Sequence, residues 1–401
     1  MIYDVSIVGA GASGMVLAIA LARENKSVVL FEKNSKVGKR LLATGNGRCN
    51  ITNLNISLDK FYSKNRKFLR DSILDYKKIE KFFNSIGLYF TSLPDGRVFP
   101  MSLQALSVVE LLEYELKRLG VEIVYFEVEK IKKQGDIFQL YYNNSNNLLE
   151  SRIVVIATGN IANPKLGASR SGLDFAEFFG HRLTPLYPSL VQLTSNMKNL
   201  KKVSGVRVDA NISFRDISIR GDILFTKYGI SGLGILDISP FLVEILTKRR
   251  ELVLEIDLMP DISERELFKM LFSSIKEQSR KSLDIWLMGF LNRKLIDFIL
   301  DIDISRDIKS LSKRDITYIV SSIKSLKFLV NGTKGFEFAE VVRGGVDTRD
   351  IDSLTMESKL VDGLYFVGEV LDVDGIRGGY NLHFAWSSAL RAKEGILCSI
   401  R

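Results

Sequence analysis

The first 32 residues constrain the fold more than any other part of the chain. Residues 5–8 form a short apolar strand, residues 9–14 a glycine-rich turn, and residues 15–22 have the small and apolar side chains of a buried helix. A second apolar strand, residues 27–31, ends at Glu32. Strand, turn, helix and strand in this order predict a βαβ unit and therefore an α/β protein.

Three glycines and one carboxylate of this unit are spaced as a dinucleotide site requires. Gly9 allows a tight turn, Gly11 lets a pyrophosphate approach the backbone, and Gly14 lets the helix pack closely on the strand. The helix N-terminus faces the negative charge of the phosphates. Glu32 would accept hydrogen bonds from the adenosine ribose. The pattern predicts dinucleotide binding, but the glycines alone do not distinguish NAD from FAD.

The C-terminal end of the chain favours FAD. A buried strand, residues 363–367, runs into Gly368 and Glu369, and Gly379 lies at the start of the last helix. An acidic residue after a strand-terminal glycine can hold a ribityl hydroxyl. A helix N-terminus can stabilise the negative charge that builds on a reduced flavin. A site divided between both chain ends is a flavoprotein arrangement; the alternative is an ordinary buried strand and helix.

The run at residues 32–53, EKNSKVGKRLLATGNGRCNITN, is rich in small and amide residues and directly follows the second strand. Its backbone amides would form a concave cradle for an anion and a flavin. Here the chain closely resembles the bacterial YhiN/BaiN-type (aminoacetone oxidase-like) FAD-dependent flavoprotein family. The resemblance covers essentially the whole chain, through residues 38–42 (GKRLL), 44–53 (TGNGRCNITN), 95–100 (DGRVFP), 157–159 (ATG), 224–226 (LFT), 229–232 (GISG) and 368–381.

This resemblance implies an α/β architecture in three parts. A discontinuous Rossmann-like FAD-binding domain would comprise residues 1–189 and 343–401. An inserted β-barrel domain would comprise residues 190–260 and 326–342, and it would itself carry a helical insert at residues 261–325. The local patterns have the same order. Alternating strands dominate residues 190–258, which predicts a small barrel or sandwich, and three helical patterns follow. Near the N-terminus, helical periodicity also covers residues 65–86.

The motifs and the resemblance together indicate which residues bind the cofactor. The glycine turn and Glu32 would serve the ADP half, with the backbone of Val128 near the adenine. The cradle would line the pyrophosphate and flavin, and the C-terminal motif would hold the ribityl chain and ring. The expected cofactor-binding residues are Gly9, Gly11, Ser13, Gly14, Glu32, Lys33, Arg40, Thr44, Gly45, Asn46, Val128, Thr158, Gly159, Gly368, Glu369, Gly379 and Asn381.

The candidate catalytic residues are Arg48, Cys49 and His383. Reduction of a C=C bond next to a flavin needs alignment and a proton donor. Cys49 is the first candidate because neighbouring positive charge would tune its thiol. His383, near the flavin helix and in place of the glutamine more usual in the family, is the second. The alternatives are a packing cysteine and a core histidine with satisfied hydrogen bonds. His181 is expected to be structural and Cys398 inert.

Two cysteines and two histidines exclude a disulfide framework and a structural zinc site, so no metal is expected. No apolar run reaches the ~18 residues that span a bilayer, and the chain enters a strand pattern at once. We therefore expect a soluble cytoplasmic protein.

The net charge of +9 is concentrated in two stretches. Residues 60–81 carry eight basic and three acidic residues, and residues 198–220 carry six basic and two acidic residues. A localised positive field favours a polyanionic partner such as ribosomal RNA, which these stretches would grip through its phosphates. The alternative is that both stretches are ordinary solvated faces.

The expected function is an FAD-dependent oxidoreductase that reduces a C=C bond with electrons from NAD(P)H. No second nucleotide-binding fold is evident, so the nicotinamide donor would visit the flavin transiently. Among the activities that the family resemblance implies, conversion of uridine to dihydrouridine in 23S ribosomal RNA fits the charge best, with the base unstacked into the pocket. One alternative is a small-molecule flavoenzyme, either an amine (aminoacetone) oxidase or a steroid-type enone reductase. Another is an RNA- or ribosome-binding protein in which FAD is structural.

Overall fold

The protein is described by a computed structural model that covers residues 2–277 and 280–400. Residues up to Tyr187 and from Glu340 onward form a first unit, and Pro188–Ala339 form a second unit. The α-helices are α1 (Ala12–Ala22), α2 (Lys39–Ala43), α3 (Arg66–Ser72), α4 (Tyr76–Asn84), α5 (Ala105–Arg118), α6 (Ser171–Phe178), α7 (Leu200–Val203), α8 (Leu233–Lys248), α9 (Glu264–Glu277), α10 (Leu283–Leu287), α11 (Arg293–Ile299), α12 (Lys313–Lys324) and α13 (Tyr380–Ser399).

Strands are distributed over both units. They are β1 (Ile2–Val8), β2 (Val28–Phe31), β3 (Thr52–Asn53), β4 (Phe61–Tyr62), β5 (Phe90–Ser92), β6 (Arg97–Pro100), β7 (Glu122–Val124), β8 (Val128–Gln134), β9 (Ile137–Tyr142), β10 (Asn147–Ile156), β11 (Tyr187–Ser189), β12 (Leu193–Thr194), β13 (Arg207–Phe214), β14 (Ile217–Thr226), β15 (Gly229–Ser231), β16 (Leu252–Asp257), β17 (Leu326–Val330), β18 (Gly332–Thr333), β19 (Val341–Arg343), β20 (Leu364–Phe366) and β21 (Asp374–Gly375).

The first unit is built on a sheet with the strand order β7-β2-β1-β10-β9-β8, in which β20 also pairs with β10. β1 lies parallel to both β2 and β10, and β20 lies parallel to the C-terminal half of β10. β1 and β2 are apolar because both faces of the sheet are covered. α1 is buried on all sides and packs against α5 and α13. The predicted βαβ unit and the α/β class are therefore confirmed.

The second unit contains an antiparallel sheet of seven strands, in the order β17-β16-β13-β14-β15-β12-β18. The two end strands, β17 and β18, are separated in the chain only by Asn331. This one segment therefore pairs with β16 through β17 and with β12 through β18, which closes the sheet into a barrel. β16 shows the alternation that a barrel requires: Leu252, Leu254 and Ile256 are buried, whereas Val253 and Glu255 are exposed.

The helices of the second unit differ in part from the sequence pattern. α12 begins with a capping box of Ser312 and Asp315, a start signal that the sequence contains. The apolar residues between 283 and 295 have the spacing of one buried helix stripe, but they belong to two helices, α10 and α11, because Asn292 caps the start of α11. α8 was not predicted among the strands of residues 190–258. Two residues of the expected helical insert, 278 and 279, lie outside the described residues.

Among residues 2–277 and 280–400, no helix is long and apolar enough to span a membrane.

Candidate functional site

The turn between β1 and α1 leaves no room for side chains at two of its glycines. Gly9 has a φ of +111°, and a Cβ atom there would lie 2.5 Å from the carbonyl oxygen of Ala157. A Cβ at Gly14 would lie 1.9 Å from the carbonyl oxygen of Gly9. α1 therefore approaches β1 as closely as the glycine spacing predicts.

The N-terminus of α1 is open to an anionic ligand. No side chain caps its first turn, and no acidic residue occurs there. At Gly11, the residue before the helix, a Cβ atom would meet nothing within 4 Å. Helix N-termini leave backbone N–H groups without intrahelical partners, and these groups and the helix dipole attract negative charge. A pyrophosphate fits this position.

Glu32 is fixed beside the same turn. Its buried carboxylate accepts hydrogen bonds from the backbone N–H of Ala10 at 3.2 Å, from the backbone N–H of Asn34 at 2.8 Å and from the side-chain amide of Asn34 at 2.6 Å. Because a carboxylate has about four acceptor positions, capacity remains for one ribose hydroxyl. Lys33 lies at the surface, with its Nζ 4.0 Å from a carboxylate oxygen of Glu127. Val128 is buried at the start of β8.

The cradle contains a compact turn of residues with positive φ. Gly45, Asn46 and Cys49 have φ values between 56° and 58°, and Gly47 has a φ of 77°. The backbone N–H of Cys49 donates to the carbonyl oxygen of Thr44 at 3.0 Å and closes the turn. The hydroxyl of Thr44 donates to the carbonyl oxygen of Leu41, which ties the turn to α2.

The two ends of the chain meet at this site. A Cβ at Gly368 would lie 2.7 Å from the hydroxyl of Ser13 in the first turn of α1. A Cβ at Gly379, which has a φ of +98°, would lie 2.4 Å from the carbonyl oxygen of Thr52. In addition, the Asn53 amide donates to the carbonyl oxygen of Gly378 at 3.0 Å. Positions from both termini therefore form one site.

Arg40 and Glu369 form an ion pair at 2.7 Å. Glu369 also accepts a hydrogen bond from the backbone N–H of Val342, and the Asn160 side chain donates to the Glu369 carbonyl oxygen. Asn160 was not among the predicted site residues, although it directly follows the Ala-Thr-Gly motif. Gly159 lies beneath this ion pair, since a Cβ there would be 3.2 Å from an Arg40 nitrogen.

Asn381 holds the loop that leads into α13. Its side-chain oxygen accepts from the backbone N–H of Gly375, and its side-chain nitrogen donates to the Gly375 carbonyl oxygen, both at 2.8 Å. The start of α13 has neither a side-chain cap nor an acidic residue in its first turn. Asn381 therefore positions another helix N-terminus of the first unit that no side chain caps. Thr158 donates its hydroxyl hydrogen to the Gly159 carbonyl oxygen.

Cys49 is completely buried. Burial raises the pKa of its thiol to about 12, and a hydrogen bond with Thr44 offsets part of the rise. The Arg48 guanidinium lies over the Phe99 ring at 5.1 Å, and its Nε donates to the Gly45 carbonyl oxygen. Desolvation, rather than the neighbouring positive charge, therefore sets the protonation state of this thiol.

His383 is buried, and both of its ring nitrogens are engaged. Nε2 lies 2.7 Å from the carbonyl oxygen of Leu74, and Nδ1 lies 2.7 Å from the hydroxyl of Thr52. A carbonyl oxygen only accepts, so Nε2 carries the proton and Nδ1 accepts from Thr52. Burial lowers the pKa of His383 to about 4, which leaves the ring neutral at pH 7. Elsewhere, His181 is buried against Ser358, and Cys398 is exposed.

The arrangement fits FAD. Two open helix N-termini, a buried carboxylate at the end of β2 and a turn of left-handed residues all belong to the first unit. A comparison with protein families agrees. The model described as "HI0933-like protein Rossmann domain" matches residues 3–395. The chain belongs to this family.

Relatives of this HI0933-like chain include enzymes with two kinds of named substrate. A 3-dehydro-bile acid delta(4,6)-reductase of Clostridium scindens is 34% identical over 406 residues, and the match covers 97% of each chain. A ribosomal RNA dihydrouridine synthase of Haemophilus influenzae is 35% identical over 396 residues, and the match covers 96% of each chain. The predicted membership in the YhiN/BaiN-type family is therefore confirmed, and the chain is an FAD-dependent oxidoreductase.

A solved structure supports the fold of the HI0933-like chain. The 3-ketosteroid delta1-dehydrogenase of Sterolibacterium denitrificans matches with a TM-score of 0.51 and 13% sequence identity. The match covers 99% of both chains. At this identity it supports the architecture and not the reaction.

Proposed function

We propose that this FAD-dependent oxidoreductase uses NAD(P)H to reduce a C=C bond of uridine in ribosomal RNA. One NAD(P)H and one proton would convert one uridine to dihydrouridine. The observation that carries the proposal is a surface of positive charge on α3 and α4 that has no acidic partners among the described residues. The link between these two helices is bonded to α13, the helix whose N-terminus would face the flavin.

The positive surface consists of five exposed side chains. Lys67 and Arg70 are three residues apart on α3, and Lys77 and Lys78 are four and three residues before Lys81 on α4, so each set shares a helix face. Within the part of the chain that the structure describes, none of the five has an acidic group within ion-pair distance. Such a face attracts a polyanion.

The acidic residues of the same stretch are engaged elsewhere. Asp71 accepts a hydrogen bond from the hydroxyl of Ser353 at 2.9 Å. Asp75 caps the start of α4 through the backbone N–H of Lys78. Glu80 accepts from the hydroxyl of Tyr76 at 2.8 Å. These contacts hold the carboxylates away from the cationic side chains, which explains why the face keeps its charge.

The second basic stretch, residues 198–220, differs in this respect. Arg207 pairs with Asp222 at 2.6 Å, and Arg220 pairs with Asp209 at 2.8 Å and with Asp261 at 2.6 Å. Two of the six basic residues of this stretch therefore already have carboxylate partners. Residues 60–81 are accordingly the main phosphate contact in our proposal.

α13 anchors the positive surface to the site. The backbone N–H of Leu74, in the link between α3 and α4, donates to the hydroxyl of Ser387 at 3.2 Å. The carbonyl oxygen of the same residue accepts from His383. Both side chains belong to α13, whose N-terminus would face the flavin. His383 thus has a positioning role.

Bound FAD would carry the hydride between NAD(P)H and the substrate. The start of α1 and Glu32 would hold the ADP half, and the start of α13 would stabilise negative charge on the ring. Arg40 would line the pyrophosphate and flavin, and Glu369 would hold the ribityl chain. The sequence indicates Cys49, with Arg48 beside it, as the proton donor, but its thiol is completely buried and cannot contact a substrate. The ring proton of His383 is committed to Leu74, so we propose water as the source of the proton.

A second candidate function is the reduction of a steroid-type enone. It is favoured by the 34% identity to a bile acid reductase over almost the whole chain.

An anaerobic experiment separates these functions. The yellow holoenzyme is bleached with NADPH, and then either unmodified large-subunit ribosomal RNA or a steroid enone is added. We expect RNA to restore the flavin absorbance, and mass spectrometry of the RNA to show a uridine with two added hydrogens. Restoration by the enone alone would favour the second candidate. A flavin that NADPH does not bleach would indicate a structural role for FAD.

A further inference from the structure

An exposed apolar edge follows α4 in the chain. Tyr89 is 60% exposed, Met101 67%, Leu103 44% and Leu106 50%. Large apolar side chains that are exposed together mark an interaction site more often than isolated ones do. These four residues, which we name the apolar edge, have no part in the FAD site described above.

Backbone contacts bring the members of the apolar edge together. The backbone N–H of Met101 donates to the carbonyl oxygen of Tyr89 at 2.9 Å. Leu103 follows two residues later in a left-handed conformation, with a φ of 53°, which leucine rarely adopts. The edge therefore consists of Tyr89 just before β5, Met101 and Leu103 just after β6, and Leu106 at the start of α5.

The apolar edge is attached to the helix that carries the lysines. The backbone N–H of Leu88 donates to the carbonyl oxygen of Phe83 at 3.0 Å. The ring of Phe90 packs on the ring of Phe83, with centroids 5.7 Å apart. Tyr89 thus stands between two residues that are tied to the last turn of α4, and its own side chain is left to solvent.

The apolar edge also adjoins the flavin cradle. The backbone N–H of Ala105 donates to the carbonyl oxygen of Gly47 at 2.7 Å. This bond joins the start of α5, next to Leu103, to the turn at residues 44–49. The edge is therefore joined by contacts both to the last turn of α4 and to the cradle.

We propose that the apolar edge binds the unpaired bases of single-stranded RNA, with Tyr89 as the stacking platform. The inference rests on the proposed function and specifies the form of its substrate. Every base has a flat face that stacks on an aromatic ring, while the phosphates of the same strand reach Lys77, Lys78 and Lys81. In a duplex each base face is covered by the neighbouring base pair, so no base face would be available to stack on Tyr89. The uncompensated charge on α4, to which the edge is attached, favours RNA over an uncharged partner.

The test measures binding of labelled oligouridine to the holoenzyme. Tyr89→Ala is expected to weaken binding about tenfold, as for the loss of one stacked base. Tyr89→Phe keeps the ring and is expected to bind like the unchanged protein. Tyr114→Ala is the matched control, because Tyr114 lies on α5 and is 63% exposed. Bleaching of the flavin by NADPH shows that each variant is folded. A duplex of oligouridine and oligoadenosine is expected to bind more weakly than the single strand.

Two results would overturn the inference alone: equal binding by the Tyr89→Ala and Tyr114→Ala variants, or equal binding of duplex and single strand. In both cases the unchanged protein would still bind RNA. If the unchanged protein binds no oligouridine and reduces no uridine, the proposed function itself fails. A change in oligomeric state on replacing Tyr89 would show that a second copy of the chain covers the edge, which also contradicts the inference.

Discussion

Removal of three charges from α4 tests the electrostatic argument most directly. The variant Lys77→Ala, Lys78→Ala and Lys81→Ala leaves the cap at Asp75 intact, because Asp75 accepts from the backbone N–H of residue 78. Alanine is also a good helix former, so α4 is expected to remain folded. The variant thus changes the charge of the surface and little else.

The expected effect is a change in salt dependence. Each phosphate contact to a single strand contributes about −0.7 to the slope of log K against log salt concentration. The three lysines have no ion pairs among the described residues, so each is available for a phosphate. We therefore expect the slope to become shallower by about 2. Between ~50 and ~200 mM salt these contacts account for about a 20-fold loss of affinity in the unchanged protein.

The assay is fluorescence anisotropy of a labelled RNA strand over that salt range. Its control is the triple variant Lys294→Ala, Lys309→Ala and Lys313→Ala, which removes the same charge from exposed positions of the second unit that lie outside both basic stretches. We expect the control to change the slope by less than half as much. An identical slope in the α4 variant and the unchanged protein would refute the reasoning, and so would equal effects of the two triple variants.

Three other predictions concern the interior. Gly14→Ala would bring a methyl group against the Gly9 carbonyl oxygen, so we expect colourless protein by absorbance, and normal FAD content would contradict the packing argument. The unfolded chain protonates His383 near pH 6.5 but the folded chain near pH 4, so stability falls as the pH drops between these values. Urea unfolding should show that this group lowers the free energy of unfolding by about 2 kcal/mol between pH 7 and pH 5, and that this decrease is absent in His383→Gln. A thiol reagent at pH 8 should label Cys398, and it should label Cys49 only when the protein unfolds. Labelling of both cysteines in the folded protein would show that the thiol of Cys49 is not buried.

Much of the fold follows from local rules that act within a few residues. The spacing of the glycines in residues 9–14 specifies a turn that only residues without a side chain can make, and the structure has that turn. Ser312 and Asp315 cap α12 because both partners lie within one helical turn. The α/β class and the family could be predicted for the same reason, since motifs are short and contiguous.

The boundaries of some elements depended on distant partners. Helical periodicity covers residues 65–86 as one segment, yet the structure has two helices, α3 and α4. Leu74 between them is held by Ser387 and His383, which are more than 300 residues away in the chain. No local pattern contains that information, because the break is stabilised by side chains of another helix.

The sequence by itself determined the cofactor-binding framework and the total charge of each stretch. Only the tertiary structure decided which charges are compensated and which groups keep their protons. The charge of Arg220 is paired with carboxylates that are 11 and 41 residues away in the chain, whereas the lysines of α4 have no carboxylate partner among the described residues. Cys49 stands beside an arginine in the chain, but its thiol is governed by burial. The physical reason is that electrostatic energies depend on distance and desolvation in three dimensions, which the order of residues does not specify.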